Sequence, residues 1–176
     1  PVRAGERLRQ ARADVNSYRR WSPARIGETL EKLAARGIRN IKIADEMFVL
    51  NRAHVEGVCD EILRRKLGLN LWAYARTDTV RDGMAERLRA AGFRWLAFGI
   101  ESGSAAVRDG SDKALDEEDI LATIAKVRAA GIHVIGNFIF GLPGETFESM
   151  HATLSFATEL NCEFGNFYCS MPYPGS

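Results

Sequence analysis

Five apolar stretches recur along this chain, each after a helical pattern that ends in or near glycine and before a polar loop. Residues 38–44, 69–75, 93–100, 132–140 and 163–170 read as strands, and their starts lie 31, 24, 39 and 31 residues apart. That spacing accommodates one strand, one crossover helix and two short loops, which is how parallel strands must be joined.

The intervening segments carry helical periodicity. Ser22 can cap a helix whose first turn holds Pro23, where a missing N–H costs nothing. Ile26, Leu30 and Leu33 then give one apolar face, and Gly37 is a stop. The second helix puts Val55, Val58, Cys59, Ile62 and Leu63 on one side before Gly68. The third uses Met84, Leu88 and Ala91 and ends at Gly92. The fourth starts near Asp116, with Glu117, Glu118 and Asp119 favourably placed in its first turn. It buries Ile120, Ile124 and Val127 and stops at Gly131, and a last helix spans 145–160, begun by Glu145.

The fold class is therefore α/β with parallel strands. Right-handed crossovers are expected throughout, but periodicity does not choose between a barrel and an open doubly wound sheet. The 176 residues suit one domain with an apolar core. Twenty-four Lys and Arg against 23 Asp and Glu leave a net charge of +1, so no global field draws the chain to nucleic acid or acidic membranes. Arg3, Arg7, Arg9, Arg12, Arg19 and Arg20 make the start locally basic. Residues 1–17 read as a basic, solvated leader or the remnant of a preceding segment, because no aromatic-rich sheet accompanies them. The first residue is Pro, which reads as a trimmed or internal piece. No stretch resembles a bilayer span or a secretory signal, and the expected location is the cytoplasm. Cys59, Cys162 and Cys169 are too few and too scattered for a disulfide scaffold or a redox pair.

In parallel α/β folds ligands gather at the carboxyl ends of the strands. Asp45 and Glu46 follow the first strand and can accept hydrogen bonds from an amine, bind a hard metal, or cap the loop before the next helix. Arg76 follows the second strand and can grip a ligand carboxylate in two-pronged fashion or pair with Asp78. After the third, Gly99 permits close approach, and Glu101 beside Ser102 can accept from two adjacent hydroxyls or merely turn the chain. After the fourth comes GNFIFGLPGET at 136–146, in which Gly141 and Gly144 bend the backbone around Pro143 and Glu145 follows. This is neither a phosphate loop nor a dinucleotide fingerprint. After the fifth, Tyr173 can wall a pocket between two prolines. His54, His133 and His151 are too dispersed for a zinc motif, no metal ligand set is expected, and no GxSxG elbow surrounds Ser102 or Ser104. Lys42 lies inside the first strand, where its sequence neighbours do not single it out.

Six segments in this order resemble the radical S-adenosylmethionine (radical SAM) superfamily: YRRWSP at 18–23, IADEMF at 43–48, ARTDTV at 75–80, FGIESGS at 98–104, GNFIFGLPGET at 136–146 and MPYPGS at 171–176. The branch they resemble is the cobalamin-binding group, with anaerobic magnesium-protoporphyrin ester cyclases and methyltransferases. The resemblance covers about 18–176 and implies a partial TIM-like (βα) barrel. It implies that Asp45 and Glu46 face the amino end of S-adenosylmethionine, with Arg76 near the same pocket. Glu101 would face the ribose with Ser102 beside it, Gly141, Gly144 and Glu145 the adenine, and Tyr173 the mouth of the last strand. It implies a 4Fe-4S cluster, a small-molecule substrate and, in this branch, cobalamin. One departure stands out. The family's CxxxCxxC loop after the first strand is missing here, and the first unit is missing or incomplete. No cluster is therefore expected in this chain, since arginines cannot replace soft thiolates. The expected function is the core segment of a radical SAM enzyme, inactive alone, acting in the full enzyme by hydrogen abstraction or methyl transfer. The alternative is a non-catalytic binding or structural module on a degenerate scaffold. A truncated barrel also leaves a sheet edge, where either self-association or capping by residues 1–20 is expected.

Overall fold

The computed structural model describes residues 19–46, 48–109 and 116–171. The expected leader over 1–17 and Tyr173 both lie outside these. Helices α1 (Pro23–Ala35), α2 (Arg52–Arg65), α3 (Met84–Ala90), α4 (Ala105–Asp109), α5 (Glu117–Ala129) and α6 (Phe147–Leu160) alternate with strands β1 (Asn40–Lys42), β2 (Asn70–Ala75), β3 (Phe93–Glu101), β4 (His133–Phe140) and β5 (Phe164–Cys169). The strands form one sheet in the order β1-β2-β3-β4-β5, every neighbouring pair parallel. The result is an incomplete, open half-barrel, which decides the alternative that periodicity left open.

The helices begin where the chain chemistry dictates. The Ser22 hydroxyl accepts the Arg25 N–H ahead of Pro23. Asp116 accepts from Glu118, and three acids fill the first turn of α5. Gly37, Gly92 and Gly131 all take positive φ after α1, α3 and α5, so these expected stops are the observed ones. Three expectations need correction. Glu145 does not open the last helix: Thr146 caps it, in a reciprocal box with Ser149, because a hydroxyl there satisfies the Ser149 N–H. Leu63 is not on the buried face of α2 and stays 40% exposed. It follows Ile62 by only one residue, about a hundred degrees around the helix. The first strand has three paired residues rather than seven, because it lies at the sheet edge and bonds only to β2.

One continuous core lies between the sheet and its helices. Leu71, Ala73, Leu96, Phe98, Val134 and Phe138 project from alternate strand positions onto Val58, Ile62, Leu88, Ile120 and Ile124. Each fully buried Phe or Leu of this set contributes about 1.5–3 kcal/mol of transfer free energy. Glu163 ties the start of β5 into this frame. Its carboxylate accepts the Val134 N–H at 2.7 Å and Arg128 Nε at 3.0 Å, while Arg128 Nη1 donates to the Leu160 carbonyl. Burial alone would raise the Glu163 carboxyl, but backbone N–H donors and Arg128 outweigh it and hold the group below its ordinary range. Among the described residues no helix is long and apolar enough to cross a membrane.

Candidate functional site

Because all five strands run the same way, the loops after β1, β2, β3 and β4 share one rim. Asp45 and Glu46 follow β1, Arg76 follows β2, Glu101 ends β3, and Gly141, Gly144 and Glu145 follow β4. Asp45 is half-buried at the edge of an apolar cavity of about 520 Å³ that also touches Leu30, Ile41, Phe48 and His54. Burial and the nearby Arg20 charge depress the His54 pKa, with Asp45 pulling the other way. The acids do not cap α2: Asn51 does, through the His54 N–H. Two strand spacings, about 10 Å, separate the Asp45 end from the Glu101 end. Arg76 grips Asp78 through two parallel bonds of 2.9 and 2.8 Å, so the intrachain alternative is the one realised.

Glu101 is the most distinctive residue of the rim. Its φ of +67° lies in the left-handed region, which non-glycine residues seldom occupy. The β3–β4 register slips between Gly99 and Glu101, so the strand bulges where the acid sits. A strained residue at such a point persists only if its surroundings over-determine it, and here they do. Ser102 is fully buried, and its hydroxyl meets Thr153 Oγ1 at 3.1 Å and accepts the Ser104 N–H. The Gly103 N–H donates to the same Thr153 oxygen at 2.9 Å, and Arg108 Nη1 donates to the Ser102 carbonyl. A Cβ on Gly103 would lie 2.6 Å from the Ala152 carbonyl oxygen, so only glycine lets the loop lie this close to α6. Ser102 is thus engaged inside the loop rather than directed to open space.

The helix that clamps this loop is the one that leaves the 141–146 turn. Gly141 and Gly144 take φ of +84° and +80°, and the Gly141 N–H donates to Glu145 Oε2. The second Glu145 oxygen is buried without a partner among the described residues. Glu101 pairs in register with Phe138, three residues before Gly141. The two loops therefore stand side by side and are tied through Thr153. Residue patterns alone did not single out Thr153. Its signal was a lone polar residue on the buried side of an apolar helix, in step with Phe156 and Leu160.

The cysteines do not converge. Cys59 is buried in α2, where burial pushes its thiol up to about 11. Cys162 follows α6 and is also raised by burial, and Cys169 lies exposed on β5. Among the described residues no three His, Cys, Asp or Glu gather into a metal-binding group. The three cysteines of the chain thus do not fit a cluster loop.

A model of the Radical SAM superfamily matches residues 9–157. The chain belongs to that superfamily. An uncharacterised methyltransferase of Pyrococcus horikoshii is 28% identical over 162 residues, which cover 90% of this chain and 35% of that one. The anaerobic magnesium-protoporphyrin IX monomethyl ester cyclase of Rubrivivax gelatinosus is 28% identical over 163 residues, covering 90% and 29%. The radical S-adenosylmethionine methyltransferase TsrM of Kitasatospora setae, solved with cobalamin and a 4Fe-4S cluster bound, superposes with a TM-score of 0.79 at 26% identity, over 86% of this chain and 29% of that one. The radical SAM segment described here thus spans about a third or less of the length of these relatives.

Proposed function

We propose that this chain is the S-adenosylmethionine-binding core of a radical SAM enzyme of the cobalamin-using branch, which in complete form abstracts hydrogen or transfers a methyl group. The observation that carries the reading is Glu101, held at positive φ on a β-bulge beside the 141–146 turn. In this reading Glu101 accepts from the ribose hydroxyls, and Ser102 fixes its loop from behind. Asp45 and Glu46 face the amino end of the cofactor, and Arg76, held by Asp78, borders them. The backbone at Gly141 and Gly144, steadied by Glu145, faces the adenine. Family membership and the shared rim support this arrangement. The barrel unit is taken to begin at about residue 18.

Three scattered cysteines supply no cluster loop, so the reading stops at binding and orientation, and no step is routed through iron and sulfur. The same observation favours a second reading, a non-catalytic module on this scaffold. Calorimetric titration with S-adenosylmethionine and S-adenosylhomocysteine separates the two. We expect both ligands to bind and Glu101→Gln to weaken them about tenfold, the worth of one hydrogen bond to a charged acceptor. A folded sample that binds neither ligand overturns the cofactor reading in favour of the module.

A further inference from the structure

We infer that the end of the half-barrel away from the rim carries a binding site for an aliphatic anion, a carboxylate on a saturated chain. The site lies outside the sheet's open face, at the amino ends of β2 and β3, and it does not rest on the cofactor reading. A cavity of about 440 Å³ opens there between the turn that joins α2 to β2 and the turn that joins α3 to β3. Close backbone contact draws the two turns together. The Gly92 carbonyl accepts the Leu71 N–H at 2.9 Å, and a Cβ on Gly92 would collide with the Leu69 carbonyl oxygen, so only glycine lets the turns meet this closely.

The lining carries one sign of charge. Among the described residues that line the cavity, Lys66 and Arg94 are the charged ones, and no acid stands with them. Arg94 Nη1 donates to the Arg89 carbonyl at 3.2 Å. Arg39 Nη1 donates to the carbonyl of Leu67, a lining residue, at 2.8 Å, which sets a third cation beside the cavity. A guanidinium has five N–H donors, so each fork is anchored through one and keeps others to offer. The acids in the last two turns of α2 do not neutralise these cations: Asp60 pairs with Arg87, and Glu61 with Arg64 and Arg65. Lys66 itself closes α2 at a φ of +52°, a position where glycine is the usual residue. A lysine there forgoes the backbone ease of glycine and adds an ammonium to the cavity wall.

The rest of the wall is aliphatic, with Ile62, Leu63, Leu69 and Ala90 among its residues and no aromatic ring. Leu63, turned away from the core of α2, is the exposed leucine of this group. An anion with a saturated tail answers both features. The tail takes the Leu63 surface out of water, while the head meets Lys66 and the guanidinium forks. The rim is of the opposite kind, since Asp45, Glu46 and Glu101 there repel a carboxylate.

The probe is octanoate, with 1-octanol as the tail without the charge and acetate as the charge without the tail. Binding is followed by calorimetry and by the backbone amide resonances of Gly68 and Gly92, both of which line the cavity. We expect saturable octanoate binding that shifts both resonances, and weaker binding of either control. Lys66→Gly should weaken octanoate about tenfold, in keeping with one charge-assisted hydrogen bond. Its thermal stability should stay level or rise, because glycine suits the left-handed position. Leu63→Glu, at an exposed helix position, should abolish binding by setting a like charge on the wall. Unchanged octanoate affinity in these two folded variants, octanol bound as tightly as octanoate, or resonance shifts confined to Gly141 and Gly144 at the rim overturn the inference.

Discussion

The two faces of β2, β3 and β4 are built from alternate residues of the same strands, yet they have opposite characters. Toward the helices the side chains are Leu71, Ala73, Leu96, Phe98, Val134 and Phe138, all sealed from water. Toward the open side they are Trp72, Tyr74, Trp95, Asn137 and their neighbours, half-buried and polar at their tips. On that side Asn166 donates to the Asn137 side chain at 2.9 Å, and Asn137 donates to the Phe98 carbonyl. The contrast shows that stability and recognition are separated by a single residue step, since a strand turns successive side chains to opposite faces. The helix side can be packed for density alone. The open side can keep donors, acceptors and aromatic faces available because the core does not depend on them.

This division can be broken most strongly from the helix side. Phe98→Ala removes a fully buried ring and should cost about 3–5 kcal/mol in urea unfolding, the range for aromatic truncation in a core. A loss under 1 kcal/mol would mean that the sealed face is not the source of stability.

Thr153→Val tests the tie between core and rim. It keeps the volume but strands the Gly103 N–H and the Ser102 hydroxyl. A cost of about 1–3 kcal/mol is expected for the unsatisfied groups, together with weaker S-adenosylmethionine binding as the Glu101 loop loosens. Unchanged affinity with lowered stability would show that Thr153 serves only the core.

The smallest stability effect, and the sharpest contrast, belongs to Glu101→Gly. It relieves a left-handed residue, so stability should change by less than about 1 kcal/mol, toward a more stable fold. Cofactor binding should fall at least as far as in Glu101→Gln. A clear destabilisation would place Glu101 among the structural residues of the bulge instead.

Much of the architecture was legible because helix and strand periods differ and glycines punctuate them. The strand read over 69–75 is observed as Asn70–Ala75, and that over 93–100 as Phe93–Glu101. The apolar run at 38–44 overstated β1, because apolarity does not report how many partners a strand has, and an edge strand has one. At the rim, Arg76 and Asp78 were visible as a potential pair two residues apart, and the fold realises that pair. Thr153 and the cavity between the Lys66 and Gly92 turns were not legible. Their meaning comes from residues about 20–50 positions away in the chain, which only strand register and helix docking bring within reach.

The chain's own order of residues determined the alternation of helices and strands, the family and the segments that reach the rim, because each depends on local periodicity and short motifs. The open curvature of the sheet, the clamp that holds Glu101 at positive φ and the cationic cavity at the opposite end were decided in three dimensions. They depend on register between strands, and register is set by the summed packing of whole elements rather than by any one of them.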